Sequence, residues 1–133
     1  ELGATVTGFS SFIDANVREV GAAKRASFVA CAIHTGPYAA AFRAAGGDVR
    51  VEGLGAELDR IARAGAEVRN SGMRFNAGHA LNYLNVGLIA ALPGVWELHI
   101  GHAIVGRAVY VGLRNAVAEM KRLMVEHSGR SGR

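Results

Sequence analysis

Four short stretches rich in β-branched or aromatic residues, Phe9–Ile13, Phe28–Ile33, Arg74–Ala77 and Trp96–Ile100, are each followed by a segment of helical character. That alternation is the strongest constraint on the fold. Strands separated by helices of ordinary length form βαβ units, so the chain is expected to build a parallel sheet with right-handed crossovers.

The helical segments carry their own boundary signals. Asn16 is placed to cap a short helix through about Lys24, and Pro37 marks a loop before the Ala-rich Tyr38–Ala45. Gly46–Gly55 reads as a loop, followed by a helix from about Ala56 to Asn70 with Leu58, Ile61, Ala62, Gly65 and Val68 on one face. Gly72 is expected as a left-handed cap. Asn85–Leu92 reads as a short helix closed by Pro93 and Gly94, and an apolar helical stretch follows Gly101-His102 to about Tyr110. A last helix, roughly Gly112 to His127, sets Leu113, Val117, Met120 and Met124 on one face. Residues 1–127 are therefore taken as one unit, and the Ser/Gly/Arg-rich Ser128–Arg133 as a disordered tail. No internal repeat is evident.

Composition narrows the function classes. Half of the 133 residues are apolar, yet charged residues interrupt every stretch that approaches the ~20 residues of a membrane span. A soluble chain is expected. No secretory leader opens it, and a start at Glu1 suggests that residues upstream are missing. The lone Cys31, inside an apolar run, reads as a core residue in a reducing, cytoplasmic setting. The net charge of +4 comes with no basic stripe interleaved with aromatics, which argues against nucleic acid as a partner.

The polar residues gather at one end of the strands. Asp14, His34-Thr35-Gly36, Asn76 with Gly78-His79, and Gly101-His102 fall at or just beyond strand C-termini, the edge where α/β folds bind ligands. Asp14 could equally cap the following helix, His34 could be a packed loop histidine, and His99, inside a strand, reads as structural. His79 stands between Gly78 and a turn, where backbone crowding signals close approach of a ligand. Gly101-His102 ends a strand and opens a helix, and its N–H groups suit a phosphate; a glycine that merely makes the turn is the alternative. The same side chains admit a competing reading as a metal hydrolase using His34, His79 and His102 with Asp14, although no diagnostic ligand spacing accompanies them.

Phe12-Ile13-Asp14, His34-Thr35-Gly36-Pro37-Tyr38-Ala39, Asn76-Ala77-Gly78-His79-Ala80-Leu81-Asn82-Tyr83, Ile100-Gly101-His102-Ala103-Ile104 and Met120-Lys121-Arg122-Leu123-Met124 occur in this order along nearly the whole chain. Together they resemble strands five to eight of the pyridoxine 5′-phosphate synthase family. The resemblance implies a (β/α)8 TIM barrel with added helices, of which this chain would supply about four β/α units, a half-barrel. It further implies a homo-oligomer, an octamer in the family, that condenses 1-deoxy-D-xylulose 5-phosphate with 3-amino-2-oxopropyl phosphate. The products would be pyridoxine 5′-phosphate and inorganic phosphate, with no metal and no organic cofactor. His79 would be the proton donor, and Gly101 with His102 the phosphate-binding turn.

The departures from the family pattern matter as much. Ala32 stands where the family carries a Glu that helps to stabilise the transition state, Ala80 where it has a phosphate-contacting Gly, and Leu84 where it has a polar His. The family's remaining catalytic groups lie on the first four strands, so a partner N-terminal half would be required. Four parallel strands leave two unpaired edges and an uncovered face. Three outcomes are open: a fragment completed by its other half, two copies rebuilding a barrel, or an open doubly wound sheet. The first two are expected, with phosphorylated small molecules and inorganic phosphate as ligands; a degenerate, non-catalytic half-barrel is the rival function.

Overall fold

The computed structural model describes residues 8–129. Residues 130–133 of the expected tail lie outside it, whereas Ser128 closes the last helix, its backbone N–H donating to the Met124 carbonyl and its hydroxyl to that of Val125.

Four parallel strands, β1 (Ser10–Ile13), β2 (Ala30–His34), β3 (Arg74–Gly78) and β4 (Val95–His99), are hydrogen-bonded in the order β1-β2-β3-β4. Helices α1 (Val17–Arg25), α2 (Gly36–Ala44) with α3 (Glu52–Asn70), and α4 (Val86–Ala90) join them, and α5 (His102–Val111) and α6 (Leu113–His127) follow. A strand order that never reverses excludes the doubly wound arrangement. Right-handed crossovers in one direction put every connecting helix on the same face of the sheet.

Burial agrees with that one-sided cover. Ile13, Cys31, Ile33, Phe75, Ala77, Val95 and Leu98, which alternate along the strands, join Val20, Tyr38, Leu54, Ile61, Ala64, Val68 and Ile89 of the helices in one core. Cys31 is buried there, as an apolar residue would be. The opposite face carries the rows Ser10, Ala30, Arg74 and Phe12, Ala32, Asn76, Glu97, then His34, Gly78, His99. On this face Phe12 is 57% exposed, whereas Ala30, Ala32 and Asn76 of the two central strands are buried. A bulge between Phe75 and Asn76 pairs Phe75 with Val95 but Asn76 with Glu97, so that Glu97, not Trp96, faces the side of Asn76.

Several boundaries shift for identifiable reasons. The α2 helix starts at Gly36 because Pro37 occupies its first turn, where a missing N–H costs nothing. The α3 helix starts at Glu52, inside the expected loop: burying Leu54 outweighs the weak propensity of Gly53 and Gly55. Its buried face runs through Ala64 and not Ala62, and Gly65 has no side chain because Phe75 fills that space. The expected Asn85–Leu92 helix contracts to α4, with Asn85 as its N-cap.

Asn16 caps α1 as expected, accepting from the Arg18 N–H, and Gly72 has φ +75. Asp14 is no cap. In α6 the expected apolar face is displaced, since Ala116 and Met120 are buried while Leu113 and Val117 are exposed. No residue of α5 is buried, and Val109 and Tyr110 are 80% and 85% exposed. No helix among the described residues is long and apolar enough to cross a membrane.

Candidate active site

All four strands end on the same edge, and there a cleft of about 590 Å³ opens between the β3–α4 turn and the start of α5. Phe12, His79, Ala80, Leu81, Asn82, His99, Ile100, Gly101, His102 and Ala103 form its walls. It therefore joins His79, Gly101 and His102, as the motif positions suggested, and adds His99 and Phe12.

The turn that carries His79 is built against backbone preference. His79 has φ +83 and Ala80 φ +58, the left-handed region that a Cβ disfavours. Hydrogen bonds from buried groups hold it. The Thr35 hydroxyl lies 2.7 Å from the Gly78 carbonyl and 2.6 Å from that of His79, while the Thr35 N–H donates to Gly78 O at 2.8 Å. Asn85 donates from Nδ2 to the Ala80 carbonyl and accepts at Oδ1 from the Asn82 N–H, and Asn82 Oδ1 accepts from the N–H groups of Leu84 and Asn85. The Tyr38 hydroxyl, buried with its ring, donates to the Asn85 carbonyl at 2.6 Å. Burial pushes that phenol well above the usual tyrosine range.

Two histidines meet beneath the turn. His34 Nδ1 is 3.3 Å from Asp14 Oδ1, and its ring packs against that of His79 at 4.7 Å between centroids. A Cβ at Gly36 would fall 2.7 Å from His34 Nε2 and 3.3 Å from His79 Cδ2, so Gly36 is what lets both rings sit together. Asp14 and His34 thus support His79 from behind and do not line the cleft.

On the far wall, Gly101 is the N-cap of α5 and no side chain caps that end. The first N–H groups of a helix have no partner within it, and the dipole adds positive potential there. Gly101 has φ −114, which any residue adopts, and a Cβ on it would meet nothing within 4 Å. Neither conformation nor packing demands glycine here; its effect is to leave the approach to these N–H groups bare.

The geometry does not favour the metal reading. Among the described residues no three His, Cys, Asp or Glu side chains converge as metal ligands, and Asp14 and His34 are not among the residues that line the cleft with His102. Residues missed from the sequence fall into two kinds. Thr35, Tyr38 and Asn82 sit inside the quoted motifs and Asn85 just beyond one, but they act only through contacts 43 to 47 residues away or within the turn. His99, expected inside a strand running to Ile100, is instead the last residue of β4 and lines the cleft.

Comparison with known proteins gives the same direction. Residues 1–126 match the family model described as "Pyridoxal phosphate biosynthesis protein PdxJ". A protein of Azoarcus sp. (strain BH72) named pyridoxine 5′-phosphate synthase is 61% identical over 117 residues, covering 88% of this chain and 47% of that protein. Proteins of the same name from Aromatoleum aromaticum and Rhodopirellula baltica are 60% and 47% identical, over 90% and 86% of this chain and 48% and 44% of theirs. The chain spans about half the length of the curated relatives it matches. By its sequence over nearly its whole length, this chain belongs to the PdxJ family of pyridoxal phosphate biosynthesis proteins.

Proposed function

We propose that the chain is the C-terminal half of a (β/α)8 barrel and acts in the synthesis of pyridoxine 5′-phosphate, the activity in its relatives' name. The substrates are 1-deoxy-D-xylulose 5-phosphate and 3-amino-2-oxopropyl phosphate, and the setting is the cytoplasm. One observation carries the reading: His79 and the uncapped N-terminus of α5 face each other across one cleft at the strand C-termini.

In this reading, backbone N–H groups at Gly101 and His102 take the phosphoryl oxygens, with the helix dipole behind them. The His79 imidazole donates a proton to a substrate oxygen as its bond to carbon breaks, and Asp14 and His34 fix the ring that does so. The open edges at β1 and β4 are covered by the N-terminal half or by a second copy.

A second reading has its own support. Ala32 places a methyl in the row between Phe12 and Asn76, where the resemblance puts a carboxylate, and Ala80 sits strained where the family has glycine. A half-barrel that binds phosphate without turnover fits both substitutions. Solution mass with and without inorganic phosphate, followed by an assay for pyridoxine 5′-phosphate, separates the two. An assembly that makes product, and loses it with His79→Ala while keeping phosphate affinity, supports the synthase. A phosphate-binding assembly without product supports the second reading. Phosphate affinity unaltered by Gly101→Val refutes the anion site in both.

A further inference from the structure

Glu97 and His99 are two residues apart on β4, so their side chains stand on the same face of the sheet as Asn76. Glu97 Oε2 lies 3.7 Å from His99 Nε2 and accepts a hydrogen bond from Asn76 Nδ2 at 3.2 Å. Asn76 is 3% exposed, and its Oδ1 has no partner among the described residues. Its bond to Glu97 alone therefore sets the orientation of this buried amide. The row that contains Asn76 ends one step below the row of His34, Gly78 and His99. Gly78 has no side chain because a Cβ there would come within 2.8 Å of His99 Cβ and 2.9 Å of its carbonyl oxygen. Packing thus fixes where His99 leaves the strand, and His99 lines the cleft with Gly101 and His102.

We propose that His99 is a ligand-binding residue of this cleft, held by the Asn76–Glu97 pair so that its ring meets a phosphoryl oxygen of the ligand seated on the α5 N-terminus. Glu97 and Asn76 are positioning residues. With Nε2 3.7 Å from the carboxylate, Nδ1 is the nitrogen left for the ligand, and it donates to a phosphoryl oxygen when the ring carries a proton on both nitrogens, the form a neighbouring carboxylate favours. The carboxylate serves a second purpose. Alone, it would repel an anion entering the cleft; paired with His99, it presents the imidazole first. The proposal rests on the phosphate reading above and adds to it the side chain that grips the anion from the β4 side.

The test is ring-nitrogen NMR of the five histidines in the full chain, titrated with inorganic phosphate, with His99 and His102 assigned by substitution. The His99 Nδ1 signal is expected to move together with the backbone amides of Gly101 and His102. Loss of one charge-assisted hydrogen bond in His99→Gln should weaken phosphate about tenfold. Glu97→Gln should weaken it less and also shift the His99 Nε2 signal, which a merely structural Glu97 would leave unmoved. If the amides respond but the His99 ring does not, and His99→Gln binds phosphate like the parent chain, the proposal is overturned and the phosphate site stands. If neither responds, the phosphate site falls and this inference with it.

Discussion

Replacing Ala80 with glycine should make the chain more stable, the reverse of the usual cost of introducing glycine. Ala80 has φ +58, where Cβ crowds the following carbonyl at about 1–2 kcal/mol. Its methyl group is exposed, so removing it sacrifices almost no burial. Glycine gives back about 0.4–1 kcal/mol through the greater freedom of the unfolded chain. The difference is a gain of about 0.5–1 kcal/mol. With a urea slope of about 2 kcal/mol/M, the unfolding midpoint should rise by about 0.4 M at unchanged slope. Ala91→Gly is the matched control, because Ala91 is also exposed but has φ −75. There only the unfolded-state term acts, and the midpoint should fall. A midpoint for Ala80→Gly that falls along with the control would refute the left-handed strain. The same variant should bind inorganic phosphate at least as well as the parent, since the lost methyl stands on the cleft wall.

Thr35→Val keeps the shape of the side chain but deprives the His79 carbonyl of its 2.6 Å partner, and should cost about 1–3 kcal/mol by urea unfolding. A loss below about 0.5 kcal/mol would mean that the hydroxyl does not hold the turn. Tyr38→Phe should cost about 1–2 kcal/mol at neutral pH through the unpaired Asn85 carbonyl. Its pH dependence has a definite sign. The folded phenol is raised above the ordinary value of 10.0, so above that pH the unfolded chain releases this proton first and stability falls. The phenylalanine variant lacks that component, and the gap between the two proteins should narrow as pH rises beyond about 10; a constant gap would show that Tyr38 is not shielded from solvent.

Much of this architecture is visible in local patterns. Strand identity follows from β-branched runs, and Asn16 and Gly72 mark helix ends through chemistry that needs only neighbouring residues. The site was legible to the extent that it consists of residues at strand ends. His79, Gly101 and His102 could be placed on one edge because a parallel sheet aligns all its C-termini. What failed was whatever depends on a partner distant in the chain. Leu54 recruits Gly53 and Gly55 into a helix through core burial that no window reveals. No residue of the apolar α5 is buried, and Val105, Val109 and Tyr110 are exposed, which residue type alone does not reveal.

The amino-acid sequence by itself determined the alternation of strands and helices, the edge on which the polar residues gather, and the family, because all three are written in residue type and order. Only the tertiary structure decided which groups act together. Thr35 reaches across 43 residues to hold a left-handed turn, Asp14 turns from a helix cap into a partner of His34, and His99 moves from the strand interior to the cleft wall. The physical reason is the same in each case. Strand pairing brings residues from different parts of the chain within hydrogen-bond reach, and a bulge of one residue selects which of them face each other.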